Sequence, residues 1–239
     1  ASSAGLQNTS VGEMAGDYYF PSAALKLQVT DNFSFGLIYD QPFGAEAEYS
    51  TGTQKTTALP GPLAPLGNQG LFHNGTEGTS VEVKSQSISM LFGYQPTENF
   101  NFYAGPVYQT IKGDVQLRGL AYGGNATFGG YNASIKETGD IGWLAGAAFQ
   151  IPDIALKASV TYRSEIEHSV NVKESFNSAG LLAGLNAAPS LNTDITTPQS
   201  VNLDFQTGIM ANTVAFANVR WVDWSSFSIQ PYKFGLASK

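Results

Sequence analysis

Apolar residues recur at every second position over much of this chain, a period that predicts strands and not helices. Leu25, Leu27 and Val29 alternate with Lys26, Gln28 and Thr30, and after Asp31-Asn32 the pattern resumes at Phe33, Phe35, Leu37 and Tyr39. Ile88, Met90, Phe92 and Tyr94 lead into Gln95-Pro96-Thr97-Glu98-Asn99, and Phe100, Phe102 and Ala104 lead out. Trp143, Ala145, Ala147 and Phe149 face Leu156, Ala158, Val160 and Tyr162 across Ile151-Pro152-Asp153. Val201, Leu203, Phe205, Thr207 and Ile209 face Ala215, Ala217, Val219 and Trp221 across Ala211-Asn212. The chain thus reads as hairpins with turns of about two to five residues. The intervening positions are polar or small: Lys157, Ser159, Thr161, Arg163 and Glu165 in one strand, Asn202, Asp204, Gln206 and Gly208 in another.

A soluble sandwich also alternates, so the connections decide. Turns inside the hairpins are short, whereas the linkers between them span residues 45–78, 119–138 and 173–197. Short turns at one end and long loops at the other are the layout of a transmembrane antiparallel β-barrel. The prediction is an all-β chain, residues 1–239 forming one barrel domain with the three long linkers as extracellular loops. From Asn99 to Arg118 the extended pattern exceeds the ~9–11 residues that cross a bilayer, with bends expected at Gly105-Pro106 and Gly113.

Composition agrees. Charged residues make up 13% of the chain, against about 25% in soluble domains, while aromatics reach 12% and glycine contributes 26 residues. No run approaches the ~20 apolar residues of a membrane helix. A net charge of −7 argues against a nucleic-acid partner, and without cysteine there is no disulfide or thiol chemistry. Ala1-Ser2-Ser3-Ala4-Gly5 lacks the charged start and apolar run of a signal peptide.

Little points to catalysis. His73 and His168 fall in or near loops, where a rim histidine is ordinarily solvated, and no Gly-x-Ser-x-Gly elbow occurs. Two histidines without cysteine make a poor transition-metal set. The glycine-rich stretch 119–130 lacks the Lys-Ser/Thr of a phosphate cradle. Neither an enzyme, a metal nor a cofactor is expected. The loops are unusually apolar: Ala58 through Leu66, with Leu63 and Leu66, then Leu71-Phe72, and a second run with Leu181, Leu182 and Leu185. Solvated loops seldom carry so many leucines uncovered. Packing of loop on loop over the barrel mouth and capture of a greasy ligand both fit.

Several segments resemble the FadL family of outer-membrane channels for long-chain fatty acids. They are Phe20-Pro21-Ser22 with Thr30-Asp31-Asn32-Phe33 and Pro42-Phe43-Gly44, then Phe102-Tyr103-Ala104-Gly105-Pro106-Val107-Tyr108, then Gly142-Trp143 with Thr161-Tyr162-Arg163-Ser164-Glu165-Ile166, then Thr197-Pro198-Gln199-Ser200 through Trp221-Val222-Asp223-Trp224-Ser225. The resemblance implies a monomeric barrel of about fourteen strands in the Gram-negative outer membrane, of which about eight lie here. A plug carrying Asn-Pro-Ala is expected before residue 1 and further strands after residue 239. A closed eight-stranded barrel is the alternative.

The implied function is passive uptake of a fatty acid or similar hydrophobe from a surface bathed in membrane lipid. By resemblance Arg118 is the cation for the ligand carboxylate, with Lys112 as alternative. Arg163, Glu165 and Arg220 are expected to form a polar network in the lumen. The family also includes aromatic-hydrocarbon channels, so that ligand class stays open, as do a polar-solute porin and a structural or adhesive barrel.

Overall fold

A computed structural model describes residues 14–15, 19–49, 51, 57–58, 68–225, 227 and 229–239. Eight strands form a continuous antiparallel path. In spatial order they are β1 (Ala23–Gln28), β2 (Phe33–Asp40), β6 (Ser80–Tyr94), β7 (Phe100–Arg118), β8 (Gly130–Ile151), β9 (Leu156–Arg163), β12 (Ser200–Met210) and β13 (Thr213–Val222). The remaining strands prolong or bridge these: β3 (Gly44–Glu48) pairs with the upper part of β6, and β10 (Ile166–Ser175) pairs with β11 (Asn192–Thr197) and the upper part of β8. The short pair β4 (Thr57–Ala58) and β5 (Asn68–Gln69) lies apart, and an α-helix, α1 (Tyr232–Ala237), follows the last strand. The sheet is not closed: β1 pairs only with β2, and β13 only with β12.

Every expected hairpin forms, and the four tight turns lie at one end of the sheet. The connections at the other end are shorter than alternation alone predicts. β8 begins at Gly130, so the second connection ends before residue 130 and not at 138. The third is a hairpin of its own, because β10 reaches Ser175 and β11 starts at Asn192. Neither strand shows a clean apolar stripe: the buried face of β10 mixes Ile166, Val170 and Val172 with His168 and Glu174, and β11 reads Asn-Thr-Asp-Ile-Thr-Thr.

Alternation puts unlike chemistry on the two faces. Even-numbered residues of β6 and β7 look outward, and they include Ile88, Met90, Phe92, Tyr94, Phe100, Phe102 and Tyr108, all more than two-fifths exposed. Ile141 at 73% and Trp143 at 52% continue this surface on β8, and Leu203, Phe205, Val219 and Trp221 carry it across β12 and β13. So broad an apolar surface belongs against hydrocarbon. Aromatic rings mark the band. Near the tight turns Phe33 packs on Tyr94 with ring centres 5.0 Å apart, and Phe100 on Phe149 at 5.1 Å. Higher on the same face Trp143 packs on Tyr162 at 5.1 Å, and Tyr162 is in register with Val201 and Trp221. Val214 and Phe216 are exposed apolar residues on the inner face of β13.

The inner face is polar and close-packed where glycine admits it. Tyr103 lies opposite Gly146, where a Cβ would come within 2.5 Å of its ring, and its hydroxyl pairs with Thr161 Oγ1 at 2.7 Å. Gly105 sits so close to β6 that a Cβ would meet Met90 O. The expected irregularity at Gly113 is a register slip between Ile111 and Gly113.

Candidate functional site

Two strand paths break at proline. Pro42 separates β2 from β3, and Pro198 separates β11 from β12, because neither residue can donate to a ladder. At the first break the chain turns Phe43 inward. It meets the Trp224 ring edge-on at 5.7 Å and lies beneath the Arg220 guanidinium at 5.8 Å. At the second, β10 and β11 lean across the inner face of β7 and β8. Pairing of β8 with β9 ends at Leu144↔Arg163 and resumes with β10 only at Ile135↔Val172.

A polar belt crosses the lumen at this level. Asp40 accepts a hydrogen bond from Ser87 Oγ and, at 3.2 Å, from Arg163 Nη2, tying β2 to β9 over 123 residues of sequence. Arg163 Nη1 also reaches Ser89 Oγ at 3.5 Å. On the outward side at the same level Tyr162 donates to Gln199 Oε1 at 2.8 Å, and Gln199 donates to Asp223 at 3.2 Å. Arg163 and Arg220 thus share the belt, whereas Glu165 does not. It lies exposed in the gap between β9 and β10, and the carboxylate facing Arg163 is Asp40. Arg220 stands over Phe43 with no carboxylate in ion-pair range among the described residues.

Above the belt the buried face of β10 climbs toward the long connections. Ile166 packs with Val107 and Leu144; Val170 and Val172 pack with Ile111, Ile195, Phe176 and Tyr131. His168 interrupts this face. It is wholly buried, with Nε2 3.2 Å from Gln109 Oε1, an oxygen that also accepts from Thr197 at 2.7 Å. Its Nδ1 lies 3.1 Å from Asp140 Oδ2 without the alignment of a hydrogen bond. His73 is buried as well, at 1% exposure. Both histidines are therefore interior groups and not solvated rim residues: β10 carries one beneath the leaning hairpin, and the loop folds over the other.

The resemblance-based cations occupy different settings. Lys112 is exposed on the outer face of β7, beside Lys84 of β6 and away from the lumen. Arg118 ends β7 and is nearly buried. Its Nε donates to Glu77 at 2.8 Å, its Nη1 to the carbonyls of Leu117 and Tyr131 at 2.9 and 3.1 Å, and its Nη2 to Asn132 Oδ1 at 2.7 Å. A guanidinium so engaged fastens the mouth, and a ligand carboxylate would reach it only by displacing Glu77. Arg118→Ala is accordingly expected to loosen the connection at 68–79 and to weaken carboxylate and alkane ligands alike. Limited proteolysis beside the two binding titrations checks this; selective loss of the carboxylate would restore Arg118 as its partner.

The apolar loop residues divide into two clusters. Phe72 stacks on Tyr49 at 4.4 Å and meets Tyr122 at 6.0 Å, with Leu71 half-buried beside it. Leu182 and Leu185 pack onto the Val170–Phe176 cluster together with Phe234 of α1, while Leu181 is 75% exposed. Leu63 and Leu66 lie outside the described residues. A carboxylate that alternation did not single out organises the second cluster. Buried Glu174 accepts from Tyr131 Oη at 2.8 Å and from the backbone N–H groups of Lys233 and Phe234 at 2.7 and 2.8 Å, capping the start of α1. Burial, followed by the bond to this anion, pushes the Tyr131 phenol far above its ordinary value, so it stays a donor.

Beneath the belt a groove of about 430 Å³ opens on the inner face, lined by Leu91, Tyr103, Leu144, Lys157, Arg163 and Asn202 among others. From the mouth downward the inner face thus presents an apolar cluster, a charged constriction and a mixed groove.

No family model matches the sequence, and no curated protein does. Solved structures do match in fold. A Pseudomonas aeruginosa FadL homologue aligns over 91% of this chain and 51% of its own length, with 17% identity and a TM-score of 0.61. The Pseudomonas putida toluene transporter TodX aligns over 87% of this chain and 55% of its own, with 14% identity and a TM-score of 0.51. The chain therefore spans about half the length of these channels.

Proposed function

We propose, from the FadL-type barrel wall that this chain forms, that it belongs to an outer-membrane channel for passive uptake of long-chain fatty acids or similar hydrophobic ligands. The observation that carries the reading is Arg220 on the inner face, which stands over Phe43 at a constriction below the apolar cluster of the mouth and lacks a carboxylate partner among the described residues. The ligand carboxylate meets Arg220, and the acyl chain lies in the open groove lined by Leu91, Tyr103 and Leu144. A guanidinium backed by an aromatic ring holds a carboxylate through charge-assisted hydrogen bonds. Release toward the bilayer is served by the break between β2 and β3, where a cavity of about 350 Å³ is lined by Phe20, Phe43, Gly44 and Ala45.

The test is a comparison of ligands. In the full-length protein, Arg220→Gln is expected to weaken an oleate-like carboxylate by about tenfold, the scale of one charged hydrogen-bonded contact, and to leave the corresponding alkane unchanged. Equal weakening of both would remove Arg220 from head-group recognition. A second reading rests on the aromatic set Phe43, Trp224 and Phe227, whose rings meet edge-on at the constriction. These surfaces fit a small aromatic hydrocarbon, the ligand class named for TodX. Under that reading Arg220→Gln is without effect, while Phe43→Ala weakens toluene severalfold.

A further inference from the structure

The outer face carries a second ordered feature, at the upper limit of its apolar band. Lys84 of β6 lies opposite Lys112 of β7, and Lys136 of β8 flanks Lys112 at the register slip. All three are exposed. Lys84 is ion-paired with Glu82 of its own strand; among the described residues neither Lys112 nor Lys136 has an ion pair. Like charges directly opposite each other across a ladder repel unless an anion lies between them.

Their height is set by the register. Lys84 lies ten residues above Tyr94, and Lys112 ten above Phe102, the partner of Tyr94. Ten strand residues rise about 33 Å along the strand, or about 25 Å along the membrane normal at a tilt of about 40°, the height of a barrel's apolar band. The aromatic row at Tyr94 and Phe102 marks one boundary of the hydrocarbon, so the lysine row stands at the other, on the side of the long connections. Uncharged Gln86 and Thr110 lie one pleat below it, and Ile88 and Tyr108 two below. Long lysine side chains at that height extend into the headgroup layer.

We propose that Lys112 and Lys136, with Lys84 beside them, form a docking surface for the phosphorylated headgroup of an outer-leaflet lipid. The inference rests on the reading of this chain as a barrel wall in a membrane. Height selects the occupant: an anion fixed at the hydrocarbon boundary is a lipid phosphate, and the position repeats on three adjacent strands. Glu82 and Asp114, opposed to each other one pleat farther from the bilayer, limit the surface on its outer side. Glu82 is held by Lys84, while Asp114, Glu46 opposite Glu82 and exposed Glu137 beside Lys136 are carboxylates a headgroup must avoid.

The experiment uses the full-length protein in phosphatidylcholine nanodiscs doped with a bis-phosphorylated glycolipid or with its dephosphorylated form. Retained lipid is counted by native mass spectrometry after exchange. The wild-type protein is expected to retain the phosphorylated form at least fivefold over the other, and Lys112→Gln with Lys136→Gln to abolish that preference. Asp114→Asn is expected to increase it, and inorganic phosphate at millimolar concentration to leave it intact. Equal retention of the two glycolipids, or unchanged retention by the double variant, overturns the proposal while the barrel reading stands, since insertion is scored separately by resistance to alkaline extraction. Competition by free phosphate overturns the lipid as occupant. A protein that fails to insert overturns both.

Discussion

Met90→Arg is expected to destabilise the folded protein in lipid vesicles by about 2–4 kcal/mol, the cost of an arginine near the middle of a barrel's apolar band. Met90 looks outward from β6, is 45% exposed, and lies between Tyr94 at one edge of the band and Lys84 at the other. Its neighbour across the ladder is Leu37. A guanidinium there has neither water nor a counter-charge, and it is too far from either edge to reach both. The same change on the inner face supplies the contrast. Ser159→Arg places the cation in the lumen, where Ser159 Oγ already lies 3.4 Å from Asp204 Oδ2, and it is expected to cost under about 1 kcal/mol. Urea unfolding of the vesicle-inserted protein measures both. Equal costs at the two positions would mean that the outward face does not meet hydrocarbon.

Glu174→Ala has the second largest expected effect, and it is local. The buried carboxylate accepts three hydrogen bonds, one from Tyr131 and two from the first turn of α1. Bonds to a charged acceptor are worth about 1.5–3 kcal/mol each, and the loss is reduced because the variant no longer buries a carboxylate. A net cost of about 2–3 kcal/mol falls on the docking of α1, not on the barrel strands. Hydrogen exchange across Tyr232–Ala237 is expected to accelerate by about two orders of magnitude while β6 and β7 remain protected. Glu174→Gln keeps one acceptor and is expected to show an intermediate effect. Unchanged exchange in the Ala variant would mean that Phe234 packing alone holds the helix.

Period-two alternation located the four hairpins because each lipid-facing strand repeats one rule: apolar outside, polar inside. It failed where the chain leaves the membrane. β10 and β11 pack one face on protein and not on lipid, so their buried positions tolerate His168, Glu174 and Thr197, each satisfied by a specific neighbour. The lumen cations Arg163 and Arg220 were legible as charges at inner positions of alternating strands. The anion that meets Arg163 was harder to find, since Asp40 lies 123 residues away and meets it across the inner face, a contact that no local spacing reveals. It carried a signal nonetheless, as a charge at an inner position in a strand otherwise free of charge. Arg118 entered by resemblance alone, and its partners come from Glu77, Asn132 and two carbonyls that no local spacing reveals.

The chain contains no cysteine, so single cysteines can report which face of a strand meets lipid. The most direct measurement places a spin label in turn at 201 through 207 of β12, in the full-length protein inserted in a bilayer, and records collision with oxygen and with a water-soluble nickel complex. Oxygen maxima are predicted at 201, 203, 205 and 207, with nickel maxima at 202, 204 and 206, because Val201, Leu203 and Phe205 face outward in register with Tyr162, Val160 and Ala158. Nickel access without alternation, equal on both faces, would contradict a membrane-spanning wall around a polar lumen, and with it the channel.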